Sequence, residues 1–459
     1  MTNLTQLFKN LARDSSAYFL ATVGAKLVSM AIIPLAAYFL GAAGFAEFDA
    51  FLLCNTLLTL LLLLGVDSGS ALQIISDDNN GKLENRGSPL PIMILVVVSM
   101  AILAAFLIGS SSVWSYFESL PLWHSFFYSI FAAFQTIAFT YLRFNNQPIL
   151  GSLVVFLTAV ASTLIGLLWL TLDPTNPIFS LLNGIVLGQM IGGIISLLLM
   201  CKPIHEQLKT VHRSNVFSLL RLSIPYVPAS LAVWARKSID RVLINHFIGD
   251  AEVLGAYALM ARLAEFAQVL LGTIGSACMP QVLKNYRLES GIVFARRILY
   301  GACFVAFLGL LIAWWGSSFL LPLVDKSNGA FFMYSSLLIP LTAAGLMGSL
   351  LNFTGFGFQI SGKTHIYALL IVGSVVGQAI LGSFFLNLNF GLHALALCNL
   401  ITTSIFILLY ITQSEKLHPF NYKRLFWVLP VFLVTSLGIF ASIQACSCSL
   451  AVRFLCTAT

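Results

Sequence analysis

The sequence predicts an all-α polytopic membrane protein, built as two pseudo-symmetric six-helix bundles with twelve core spans and a thirteenth. Three observations carry that prediction. Of 459 residues, 59% are hydrophobic and only 9% are charged, where a soluble protein carries about 25% charged residues. Apolar runs of the length needed to cross a hydrocarbon layer recur along the whole chain. The polar segments between them are short, which leaves no room for a soluble domain.

The first run, 15–40, is too long for a signal peptide and lacks a cleavage site, so it reads as a span. Further spans follow at 46–75, 90–110, 122–142, 149–171, 179–201, 219–248, 253–282, 298–323, 331–358, 366–386, 391–413 and 425–446. With the N-terminus in the cytoplasm, nearly all loop cations fall inside, among them Lys9, Arg13, Lys82, Arg143, Lys209, Arg221, Arg296, Lys363 and Lys423. The outer segments keep Lys326 and Arg453 alone, an asymmetry that fixes the expected orientation. The net charge of +7 then fits anionic lipid at the inner face and calls for no nucleic acid.

A weak internal repeat links 11–41 to 219–249 at a constant offset. It pairs Arg13 with Arg221, Ser15 with Ser223, Tyr18 with Tyr226, Phe39 with Phe247 and Gly41 with Gly249. The first and seventh spans therefore open two halves of like orientation, a known transporter plan. The expected organisation is an N-terminal bundle at 1–201, a cytoplasmic linker at 202–218, a C-terminal bundle at 219–413, and an extra span with a tail at 414–459.

Two motifs invite chemistry and do not carry it. Eight cysteines show no metal-ligand spacing and read as small apolar residues, so no metal is expected. G-F-Q-I-S-G-K-T at 357–364 matches the phosphate-loop pattern. It falls in a short turn between two spans, with no strand before it. ATP and other cofactors are therefore not expected, and transport would draw on an ion or substrate gradient. G-Q-M-I-G at 188–192 reads as a close helix contact.

The charges inside the spans are the chemical signal. They are Lys26, Arg236, Lys237, Arg241 and Arg262 against Asp67, Asp240 and Glu265. Each costs about 2.5–3.5 kcal/mol at the centre of a spanning helix on insertion scales. At 100° per residue, Arg236, Lys237, Asp240 and Arg241 occupy an arc of about 140° on the seventh span. Spans seven and eight turn near Asp250, so Asp240 with Arg262 and Lys237 with Glu265 are at matching depth as candidate ion pairs. Five cations against three acids still leave a positive excess. Lys26 and Arg236 are the first candidates to face a wet cavity, where a guanidinium and an ammonium suit a phosphate or diphosphate.

Several stretches then resemble the bacterial polysaccharide exporters of the O-antigen flippase (Wzx) type, in the superfamily that includes MATE multidrug exporters. They are Y-F-L-G-A-A-G-F-A-E-F at 38–48, G-V-D-S-G-S-A at 65–71, S-I-D-R-V-L-I-N-H-F-I-G-D-A-E-V-L-G-A-Y-A-L at 238–259, M-P-Q-V-L-K-N-Y at 279–286, Q-I-S-G-K-T at 359–364 and N-F-G-L-H-A-L-A at 389–396. The resemblance covers nearly the whole chain. It implies a V-shaped pair of bundles working by alternating access in the bacterial inner membrane, and no enzyme activity. The implied cargo is an undecaprenyl-diphosphate-linked oligosaccharide, passed from the cytoplasmic to the periplasmic leaflet, with a polysaccharide polymerase and chain-length partners beside it. In such flippases a cationic cavity receives the diphosphate and sugars, which carries over to Arg236, Lys237, Lys26 and Arg262. Glu265, Asp240 and Arg241 are candidates for ion coupling or ion pairing. The alternatives are a multidrug or other lipid-precursor exporter of the same fold, whose drug-carrying form calls for an acidic cavity, and a membrane polysaccharide polymerase, which calls for a large outer loop. His393 stands where the family usually has a small residue.

Overall fold

The computed structural model describes residues 4–67, 69–70, 89–109, 121–144, 147–208, 213–224, 226–286, 288–319, 330–361, 363–420, 422 and 430–441. Every regular element among them is helical, the arrangement that satisfies all backbone groups of a spanning segment within that segment. The long helices are α1 Leu4–Leu63, α2 Leu90–Gly109, α3 Leu122–Phe144, α4 Pro148–Leu172 and α5 Pro177–Leu208. After the short α6 Arg213–Ser223 come α7 Tyr226–Phe247, α8 Ala251–Asn285, α9 Glu289–Phe319, α10 Leu338–Thr354, α11 Thr364–Asn387 and α12 Gly391–Leu417. Eleven helices among the described residues are long and apolar enough to cross a membrane.

At 1.5 Å per residue, the 60 residues of α1 would make a straight rod about 90 Å long, roughly three times the hydrocarbon thickness. The rod breaks at Gly41, whose φ of 68° and ψ of −175° are non-helical. The first two expected spans are its two arms. Gly249, the partner of Gly41 in the sequence repeat, also has φ 68°. Both positions exploit the left-handed conformation that glycine adopts without a Cβ penalty.

Two spans differ from expectation. The second breaks at Leu64 (φ 46°) and Gly65 (φ 70°), which leave helical geometry; helix resumes at Val66, and residues 71–75 lie outside the described residues. The tenth begins as a four-residue turn Ala330–Met333 and a 3₁₀ turn Ser335–Leu337, then runs as α10. After Gly355 a separate short helix Phe356–Ser361 follows. Within the expected thirteenth span, α13 Pro430–Ala441 is an apolar helix, and 423–429 and 442–459 lie outside the described residues.

The chain divides into two compact units. One comprises Leu20–Ile32 and Glu47–Ser238, the other Met1–Phe19, Ile33–Ala46 and Ile239–Thr459. In the first unit, buried Leu62, Val66, Ile92, Val97, Phe134, Ile137, Met200 and Leu219 form an apolar core. Small residues let α4 and α5 touch: a Cβ on Gly184 would come within 2.6 Å of Gly166 Cα, and one on Gly188 would overlap Ser162 Cα. The expected close helix contact at 188–192 is present. In the second unit the core gathers Leu271, Phe294, Leu299, Leu346, Phe353, Leu400 and Phe420. Tyr422 is buried there and its hydroxyl donates to Phe353 O at 3.2 Å.

Of the five cysteines described, Cys278, Cys303 and Cys398 are buried, Cys54 is half-buried, and Cys201 is exposed at the end of its span. At the phosphate-loop look-alike, the chain forms the helix Phe356–Ser361 and resumes at Thr364. A helix stands where a nucleotide fold needs a strand. His393 shares a hydrogen bond with Ser336 Oγ at 2.8 Å, which gives this unusual histidine a structural role.

Candidate functional site

The site is built on α7 and its turn into α8. Helix α7 begins beside a break at Ile224 and accepts Pro228 in its first turn, where no intrahelical donor is needed. It ends in a glycine cap, with Ile248 N and Gly249 N both donating to Ile244 O at 2.9 and 3.2 Å. Asp250 then caps α8: its carboxylate accepts from Glu252 N at 2.8 Å and Val253 N at 3.3 Å. Glycine followed at once by aspartate makes the connection as short as the sequence allows. The expected hairpin near Asp250 is formed, and it brings the end of α7 against the start of α8.

That hairpin sets Asp240 opposite Tyr257. Asp240 is 1% exposed and Tyr257 fully buried. The Tyr257 hydroxyl donates to Asp240 Oδ2 at 2.6 Å, Asn399 Nδ2 to the same oxygen at 3.0 Å, and Gln378 Nε2 to Oδ1 at 2.6 Å. Thr403 Oγ1 donates in turn to Asn399 Oδ1 at 3.3 Å. The expected Asp240–Arg262 pair is therefore not formed. Arg262 Nη1 instead meets Glu265 Oε2 at 3.3 Å, one turn along its own helix, a spacing that needs no second helix. Neutral donors from three helices hold Asp240 in place of a guanidinium.

The search for charged partners missed Tyr257, Gln378 and Asn399. A signal existed: Gln378 is the one amide in 366–386, and Asn399 the one in 391–412. An amide in an apolar span has a partner to satisfy, as a charge does.

The remaining cations divide by surroundings. Arg241 is buried next to Asp240, and its charge acts on it. Arg236 is half-buried, while Lys237 and Lys26 are exposed side chains on apolar helices. Lys26 and Lys237 belong to the same unit, and the charge of Lys237 acts on Lys26. Among the described residues, no group of three or more His, Cys, Asp or Glu side chains is gathered to hold a metal ion.

A family model described as polysaccharide biosynthesis protein matches residues 11–285. No curated protein matches the sequence. Among solved structures, a MATE protein in complex with MaL6 aligns over 92% of this chain and all of its own, with 13% identity and a TM-score of 0.69. A mutant of the Vibrio cholerae MATE transporter VcmN aligns over 92% of this chain and 99% of its own, with 14% identity and a TM-score of 0.65. A MOP superfamily transporter from Pyrococcus furiosus, described as having a binding pocket of reverse polarity, aligns over 90% and 97%, with 12% identity and a TM-score of 0.64. At such identities the likeness concerns the fold alone, and that fold is the one seen in MATE transporters.

Proposed function

The chain belongs to the polysaccharide biosynthesis protein family, and from that premise we propose that it is a lipid-linked oligosaccharide flippase. Its cargo is an undecaprenyl-diphosphate-linked repeat unit such as that of O-antigen. It carries this from the cytoplasmic to the periplasmic leaflet of a bacterial inner membrane by alternating access, with its N-terminus in the cytoplasm and without ATP. The family and the fold support a membrane exporter. The presence of Lys26, Arg236 and Lys237 on apolar helices of one unit supports the choice of an anionic cargo.

In this reading Lys26, Lys237 and Arg236 receive the diphosphate. Arg236 supplies a planar fork, and the lysines supply point charges. Arg262 brings Glu265 with it, so it adds little net charge and is the weaker anchor of the four. Asp240 is the coupling group, because it is the one buried carboxylate on α7 and all its direct hydrogen bonds come from neutral donors. Arg236 and Asp240 are four residues apart, about 6 Å along a rigid helix.

The test is a gene deletion with the lipid-linked sugars assayed by leaflet. Complete repeat units trapped on the cytoplasmic face support the reading, as does their return when Arg236→Ala or Lys237→Ala replaces wild type at normal membrane abundance. Units that reach the outer face unpolymerised would point to a polymerase. Unaltered surface polysaccharide would overturn the cargo assignment.

A further inference from the structure

The first unit contains a second polar feature, apart from its cations. A cavity of about 370 Å³ is lined by Asn55, Thr56, Thr59, Asp67, Tyr128 and Ser230 together with apolar side chains. That volume lies in the range of small-molecule sites. Polar side chains are costly at membrane depth and are retained there for a use.

The walls are fixed. Ser129 Oγ donates to Asn55 O at 2.9 Å, and Trp234 Nε1 to Leu53 O at 3.1 Å. These bonds tie α3 and α7 to the second arm of α1. The floor is the break after Leu63. A Cβ on Gly65 would stand 2.8 Å from Ser223 O and 3.4 Å from Tyr226 Cβ, so only glycine lets the chain turn there.

The lining has a definite hydrogen-bonding character. Thr56, Thr59, Tyr128 and Ser230 each offer a hydroxyl that both donates and accepts. Thr56 spends its proton on Leu52 O at 2.7 Å, which leaves its oxygen to accept. Asn55 is 4% exposed, and its Nδ2 has no hydrogen-bond partner among the described residues. Its amide proton awaits an acceptor. Among the described residues no lysine or arginine lines the cavity, and Asp67 there disfavours an anion. A bare cation would be ringed by oxygen alone, which an orphan amide N–H contradicts. The fitting ligand is neutral, carries donors and acceptors around a compact ring, and presents a flat apolar face to Tyr128. That is a pyranose.

We propose that this cavity seats one sugar residue of the cargo and selects it by the placement of its hydroxyls, a role that rests on the oligosaccharide reading above. Position supports it. Ser230 and Lys237 are seven residues apart on α7, so they share one face of the helix about 10 Å apart. The cavity thus lies along the chain of a lipid-linked sugar whose diphosphate is at Lys237.

The test is binding to the full chain in lipid nanodiscs, followed by the fluorescence of its tryptophans, Trp234 among them. Two probes are compared: lipid-linked oligosaccharide extracted from cells deleted for the gene, and sugar-free undecaprenyl diphosphate. Thr59→Val, Ser230→Ala and Asn55→Leu should each weaken the glycosylated probe about three- to tenfold, the loss of one hydrogen bond. Binding of the sugar-free lipid should stay within twofold, which also shows that each variant is folded. Lys237→Ala should weaken both probes alike. Equal affinity of the three cavity variants and wild type for the glycosylated probe would overturn the sugar seat and leave the flippase reading standing. Loss of both probes in the shape-preserving Thr59→Val would make the cavity a structural element and overturn the seat as well. Failure of wild type to bind either probe would sink the flippase reading, and the sugar seat with it.

Discussion

Replacing Asp240 in two ways separates its structural from its functional role. Asp240→Ala removes the acceptor of three buried donors, Tyr257 OH, Gln378 Nε2 and Asn399 Nδ2. At the ~0.6 kcal/mol typical of a hydrogen bond inside a membrane protein, the loss is about 2 kcal/mol. If every orphan donor bears its desolvation cost, the loss is about 5 kcal/mol. The apparent melting temperature should fall on the order of 2–5 °C. Asp240→Asn should cost far less, and the reason is in the network. Tyr257 and Asn399 share Oδ2, whereas Gln378 alone takes Oδ1, and Gln378 Oε1 has no hydrogen-bond partner among the described residues. An amide that keeps its oxygen at the Oδ2 position retains the first two bonds. Rotation of the Gln378 amide then turns its free oxygen toward the new NH₂, and the Gln378 NH₂ is the one donor left without an acceptor. The assay is thermal unfolding of solubilised protein beside export of the lipid-linked sugar in cells. The expected pattern is a marked drop in stability for the alanine, about 1 kcal/mol or less for the asparagine, and loss of export in both. A stable alanine variant would refute the network as a source of stability. Full export by the asparagine variant would refute the coupling role, because that residue cannot ionise.

Two further predictions test the packing and the discarded motif. Gly188→Ala places a methyl against the backbone of Ser162, which cannot retreat without separating α4 from α5. Overpacking of that kind costs about 1–3 kcal/mol and should appear as reduced membrane abundance and a lower melting temperature, with any surviving protein still active. Lys363→Ala should leave export unchanged, because the residue caps no helix by its side chain and follows a helix rather than a strand. A dead but well-inserted variant would reopen nucleotide binding.

The sequence made the spans legible because the bilayer imposes a length and an apolar composition on each. The Gly41 and Gly249 turns were legible for a related reason: a left-handed residue at a helix end selects glycine. The helix break at Leu64–Gly65 was not, since it lies within an apolar run and depends on Ser223, which packs on it from 158 positions along the chain. The partner of Asp240 was misassigned for an equally physical reason. Matching depth on neighbouring helices identifies which groups share a level of the membrane, but not which way each helix is rotated. Rotation is set by the packing of all the helices together. Here it points Asp240 toward α11 and α12 and leaves Arg262 to its neighbour Glu265. The cavity at Asn55 draws its polar residues from three helices, Asn55, Thr56 and Thr59 from α1, Tyr128 from α3 and Ser230 from α7, which only the fold brings together.

The identity of Asp240's partners bears on what it is able to do. A buried carboxylate held by a guanidinium gives up that pair when it takes a proton, and the abandoned cation then costs several kcal/mol. A carboxylate whose hydrogen bonds come from neutral donors has no direct pair to break, and the cost of neutralising Asp240 falls on the neighbouring Arg241, whose charge acts on it. On protonation Asp240 becomes a donor itself, and needs one neighbour that can turn from donor to acceptor. Gln378 is that neighbour, because an amide carries both functions and its oxygen has no hydrogen-bond partner among the described residues. Tyr257 and Asn399 keep their bonds to the other oxygen. Protonation is thus met by the rotation of one amide, with the Gln378 NH₂ the one donor left without an acceptor in the protonated state. Replacing that amide by the same shape without its switch, Gln378→Met, should leave Asp240 two donors and the protein folded, while export loses its dependence on the ion gradient.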